Sequence, residues 1–114
     1  MELELTIWQR AMLITIIRPL QGDLGMFWMG GRVLDMLEFT EEERSELGVV
    51  EKAGQMRWPA EVAGRVFDFT LSEPMVRLVC GAVRQFRGWS QAMRKETEDL
   101  LSKLGIGREE DSAE

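Results

Sequence analysis

"LTIWQRAMLITIIRPLQGDL", residues 5–24, decides the fold. Thr6 and Gln9 stand at the T-x-x-Q spacing of a capping box, in which a hydroxyl and an amide side chain reciprocally satisfy orphan N–H groups at a helix start. A first helix is predicted over residues 7–17, and it stops there because Pro19 disfavours helical geometry in Arg18. "RPLQGD" then supplies a turn, and Asp23 supplies the N-cap of a second helix over residues 24–38. Two helices joined by so short a loop run antiparallel.

Downstream, "FTEEERSELG", residues 39–48, repeats the grammar. Thr40 is the N-cap, Glu43 follows three residues later, and Gly48 marks the C-terminal stop. Glu41, Glu42 and Glu43 fall in the first turn, where the helix dipole favours negative charge. After this short third helix the period changes. "GQMRWP" and "GRVFDFT" read as two strands of a hairpin linked by "AEVAG". Val66, Phe67 and Phe69 suit a pleated surface, and Pro59 belongs at a strand end or edge. Ser72 caps a fourth helix, with Glu73 and Pro74 in its first turn. Gly88 interrupts that helix and Ser90 opens a fifth, whose Met93, Thr97, Leu100, Leu101 and Leu104 form one apolar stripe ending at Gly105. The predicted fold is α+β and mainly helical, in the order helix, helix, short helix, β-hairpin, helix, helix. Residues 1–106 are expected to form a single compact domain, with residues 107–114 a mobile acidic tail.

The bounds agree. A chain of 114 residues that is 45% hydrophobic and 30% charged can bury roughly two thirds of its unfolded surface. No uncharged stretch approaches the ~20 residues of a membrane span. "MELEL" places acids where a secretory leader carries cations, so a cytoplasmic location is expected, with no membrane partner. The absence of histidine and the single cysteine, Cys80, exclude a Cys/His zinc site and a histidine-based triad. There is no phosphate-cradling glycine loop and no calcium-loop spacing of acids. Cys80 lies in an apolar context and reads as a small packed hydrophobe. Neither catalysis nor a cofactor is expected.

The apolar spacing of "LTIWQRAMLITIIRPLQGDL", followed by "LEFTEEERSELGV", "RW" and "VFDFTLSEPMVRLVCGAV", resembles a loose group of short proteins encoded in bacteriophages and prophages. The resemblance covers residues 5–83 and implies a viral or mobile-element origin, with the bacterial host cytoplasm as the location. It assigns no functional residues.

Two surfaces stand out. In "GMFWMGG", residues 25–31, Phe27, Gly31 and Leu34 share one side of the predicted helix, while Met26, Met29, Val33 and Leu37 share another. A helix apolar on most of its circumference is normally buried. Gly30 and Gly31 each cost about 1 kcal/mol relative to alanine in a helix interior, so close backbone approach is expected to offset them. The approaching element is helix one or four of the same chain, which the pattern favours, or else a second copy or another protein. The supply of four Trp, five Phe and eight Met strains so small an interior, and Trp and Met are enriched at interfaces. Met26, Trp28, Met29, Gly30 and Gly31 are therefore the candidate partner interface, with this protein itself a possible partner.

The second surface is residues 74–95, which carry Arg77, Arg84, Arg87, Arg94 and Lys95 and no acid, although the chain has a net charge of -6. Arg77 and Arg84 share a helix face, and Phe86 and Trp89 are interleaved with the cations. Arg77, Arg84, Arg87, Trp89 and Arg94 form a candidate basic docking surface for an acidic protein patch. Single-stranded nucleic acid is the less favoured alternative, since the overall negative charge opposes it. The plain reading is a solvated face whose arginines pair with acids of the FTEEE helix. Three helices before a hairpin also suggest a winged helix, but consecutive glutamates on the recognition helix would repel phosphate.

Overall fold

Both predicted capping boxes form. The Thr6 hydroxyl accepts a hydrogen bond from Gln9 N at 3.2 Å and the Gln9 side chain accepts one from Thr6 N at 3.0 Å. Thr40 and Glu43 repeat the exchange. The computed structural model describes residues 1–107. Helix α1 spans Ile7–Ile17, α2 spans Leu24–Leu37 from its Asp23 cap, and α3 spans Glu41–Leu47. Gly48, at φ 74°, ends α3 in the left-handed conformation that a residue without Cβ adopts most readily. Helix α4 spans Glu73–Gln85, and α5 spans Arg94–Lys103 after a 3-10 turn that Ser90 caps. The mainly helical α+β class is thus the observed one. The acidic stretch expected to be a mobile tail lies, from residue 108, outside the described residues.

The strand pairing differs from expectation. Residues 55–57 and 66–70 are both strands, but they do not pair with each other. Strand β1, Glu2–Thr6, pairs antiparallel with β4, Val66–Thr70, whereas β2, Val50–Lys52, forms a tight hairpin with β3, Gln55–Arg57. The segment between β3 and β4, expected as a hairpin loop, holds a 3-10 turn at Ala60–Val62. Strand β1 wins β4 because Leu3 and Leu5 alternate with Glu2 and Glu4, giving it one apolar face to bury beside Phe67 and Phe69. The β2–β3 loop is the two residues Ala53 and Gly54, both at positive φ, a geometry that matches the twist of its flanking strands. Helix α4 also stops short of Gly88: Phe86 is already extended, at ψ 136°.

Helix α1 runs through the core and buries eight of its eleven residues. Around it pack Leu3 and Leu5 of β1, Val33 and Leu37 of α2, Val79 and Val83 of α4, and Leu100 of α5. The apolar stripe of α5 lies as its periodicity indicated, with Leu100 and Leu104 buried and Met93, Thr97 and Leu101 half-buried. The core is aliphatic almost throughout: Phe39 is the one buried aromatic among the described residues, and no tryptophan or methionine is buried.

Candidate functional site

Helix α2 has two ends with opposite fates. Its C-terminal half buries Gly30, Val33 and Leu37 at helical spacing, with Leu34 and Met36 packed partly against the core. Its N-terminal half has run past that core. Leu24 is 68% exposed, Phe27 65%, Trp28 62% and Met26 41%. Phe27 and Trp28 touch edge to face, with ring centroids 5.3 Å apart. Asp23 is the only charge in residues 19–31. The result is an apolar helix end whose first two turns contribute nothing to the core cluster.

This corrects the favoured internal reading of "GMFWMGG". A Cβ built on Gly30 or Gly31 meets no atom within 4 Å, so neither glycine permits a close approach by helix one or four. Of the five residues singled out there, Met26 and Trp28 are exposed, Met29 and Gly31 are half-exposed, and Gly30 is buried. Sequence reasoning passed over Leu24 and Phe27, although their adjacency to Met26 and Trp28 in an uncharged stretch is the same signal.

The other end of α2 is anchored by Arg10, which is only 2% exposed. Its Nε donates to Leu37 O at 2.6 Å and its Nη2 to Glu38 O at 3.1 Å, which satisfies carbonyls that a helix C-terminus leaves without partners. Nη1 and Nη2 also donate to the two Glu43 carboxylate oxygens at 2.8 and 2.9 Å, the bidentate geometry that a planar guanidinium favours. The group lies 4.1 Å from the Phe39 ring centroid and 4.8 and 5.2 Å from those of Phe67 and Phe69. Hydrogen bonding from Arg10, above all, holds the Glu43 carboxyl below the usual glutamate range, against the opposing effect of burial. Gln9, one residue earlier and also buried, donates to Glu96 O and to the Asp99 carboxylate and accepts from Lys103 Nζ at 3.0 Å, tying α1 to α5. The Asp99 carboxyl is lowered, first by Gln9 and then by Lys103.

The basic surface is only partly assembled. Arg77 pairs with Glu73 at 2.7 Å and Arg94 with Glu98 at 3.2 Å, each one turn away on its own helix and highly exposed. These partners flank the acid-free run; they are not the acids of α3 that the plain reading named. Arg84 and Arg87 are exposed and form no ion pair among the described residues. Trp89 turns inward: it packs against the core, meets Phe86 edge to face at 5.1 Å, and donates from Nε1 to Val83 O. Neither ring stands out from the surface as a stacking platform.

Elsewhere, Cys80 is half-buried, its thiol donates to Leu104 O, and burial pushes its pKa up. Trp8 and Trp58 flank a shallow groove between α1 and the β2–β3 hairpin. Among the described residues no three or more Cys, Asp or Glu side chains come together to hold a metal ion, and no helix is long and apolar enough to cross a membrane. Compared with protein-family models, curated proteins and solved structures, the chain matches none of them.

Proposed function

We propose that this chain is a non-catalytic protein-binding adaptor that docks a protein partner, a second copy of itself included, through the N-terminal end of α2. The observation that carries this reading is the run of exposed apolar side chains at Leu24, Met26, Phe27 and Trp28, on a helix whose other end is fixed by Arg10. Large aromatic side chains held on a rigid element anchor interfaces well, because little conformational freedom is lost when they are covered. Gly31, which is half-exposed and has nothing within 4 Å of its Cβ position, leaves space beside the helix that a partner can approach. A phage-encoded adaptor at work in the cytoplasm of a bacterial host fits the resemblance in the amino-acid sequence.

The test is association. Sedimentation equilibrium of the full chain should give either a concentration-dependent dimer or, where the partner is another protein, a monomer. In the second case a photo-crosslinking residue at position 28 should capture one discrete partner in host cells. Trp28→Ala should weaken either association at least about tenfold, as expected for truncation of a central aromatic anchor, with the circular dichroism spectrum unchanged. A monomer at all concentrations, together with no discrete crosslinked species, would sink the proposal.

A further inference from the structure

Strand β4 has an edge that no other strand among the described residues pairs with. Leu71 N donates to Met1 O and Met1 N donates to Leu71 O, both at 2.8 Å, which makes this a mutually hydrogen-bonded pair of the β1–β4 ladder. Hydrogen-bonded pairs alternate along an antiparallel ladder, so Phe69 and Phe67 also bond to β1, while the N–H and C=O groups of Val66, Asp68 and Thr70 turn away from it. The other strand confirms the phase: Thr6, opposite Val66, points its N–H away from β4 and into the Gln9 cap. Among the described residues the sheet has two strands, β1 and β4.

Along that outer edge runs a groove of about 500 Å³. It is lined by Val66, Phe67, Asp68 and Phe69 in succession, residues from both faces of β4, and by none of β1. It therefore follows the unused edge. Asp35 and Met36 of α2 also line it.

The charge of the groove is one-sided. Arg10 is the single cation that lines it, and Glu43 already holds that guanidinium; Glu38 is likewise held by Arg18. Asp35 and Asp68, both exposed, take part in no ion pair among the described residues. We propose that the outer edge of β4 accepts, as a third strand, an extended segment of a partner protein that carries lysine or arginine at alternate positions. Main-chain hydrogen bonds to Val66, Asp68 and Thr70 supply the adhesion, and Asp35 and Asp68 select the charge. A second copy of this chain is a poor occupant: the β1–β4 ladder already sets Glu4 opposite Asp68, and a β4–β4 pairing centred on Asp68 would bring a second such acidic pair alongside it, adding like-charge repulsion. An acid at mid-edge thus guards the strand against indiscriminate pairing and still admits a basic segment. This surface is distinct from the apolar end of α2 and does not rest on that reading.

The test titrates the full chain with fluorescein-labelled ten-residue peptides of alternating valine and lysine, read by fluorescence anisotropy. Binding should be saturable, and hydrogen exchange should slow at the amides of Val66, Asp68 and Thr70. A valine–glutamate peptide should fail to bind. Peptides N-methylated at all valines or at all lysines should differ, one register losing binding and the other keeping it. Asp35→Lys with Asp68→Lys should weaken binding at least tenfold, and the milder Asp68→Asn should weaken it severalfold with an unchanged melting temperature. Trp28→Ala should leave it unaltered, which separates a failure here from a failure of the apolar-end reading. No binding at millimolar peptide, equal affinity for both methylated registers, indifference to both Asp68 substitutions, or protection of these amides by self-association without peptide would each overturn the proposal.

Discussion

Arg10 is the residue on which three elements depend. It closes the C-terminus of α2, holds the glutamate that caps α3, and lies against the phenylalanines of β4. Removing one partner of such a pair strands the other, at a typical cost of about 3 kcal/mol or more. Arg10→Ala should lower unfolding stability by roughly that amount in a urea titration, and Arg10→Lys should recover little, since an ammonium cannot reproduce the bidentate fork. The pH dependence has a definite sign. The Glu43 carboxyl is lowered in the folded state, so its contribution is fully present above the unfolded value of about 4.3 and is lost as pH falls through the lower folded value. Asp99 and Glu51 behave alike. Stability should be flat from pH 7 to 5 and fall below that, and Glu43→Gln should make the acid limb shallower. In the amino-acid sequence, Gln9 and Arg10 read only as polar neighbours inside an apolar helix. That placement was itself a signal, but the carbonyls and rings that satisfy Arg10 come from residues 37–69, beyond any local pattern.

The helices of this chain were legible because their starts and stops are local chemistry. Thr6 with Gln9, Asp23, Thr40 with Glu43, and Gly48 each act within a few residues, and each acts as its identity dictates. The strands were not, because pairing is decided at long range. β4 finds its partner 60 to 68 residues upstream, and the hairpin turn carries Ala53–Gly54 where Asn-Gly would have announced it. Strand β1 is a different case: Glu2 to Thr6 alternates polar and apolar in plain view, yet no strand is predicted there. In α2 the helix itself was readable, but not the point at which it leaves the core. Since Gly30 and Gly31 have open space at Cβ, Gly30→Ala with Gly31→Ala should raise stability by about 2 kcal/mol in the isolated chain, the propensity gain of two alanines. A rise in melting temperature checks this. If Gly31→Ala alone weakens association, the space beside that half-exposed glycine is taken by the partner.

At the scale of the whole molecule, α2 joins the two surfaces. Its first turns present apolar side chains to solvent and its last turns line the acidic groove, which at 1.5 Å per residue sets the two regions roughly 10 to 18 Å apart along the helix axis. The composition foretold a surplus of bulky side chains but not its address. Aliphatic residues on α1 and its neighbours fill the interior, and tryptophan and methionine are left to the periphery. That division has a redox consequence. Methionine sulfoxide is polar and disrupts a core where the thioether packs into it, whereas Met26 lies outside the core cluster. Mild peroxide should therefore first add oxygen to the exposed Met26, detectable by mass spectrometry, and at that stage the thermal transition should stay almost unmoved. Oxidation of Met26 would thus blunt the proposed docking surface before it loosened the molecule itself.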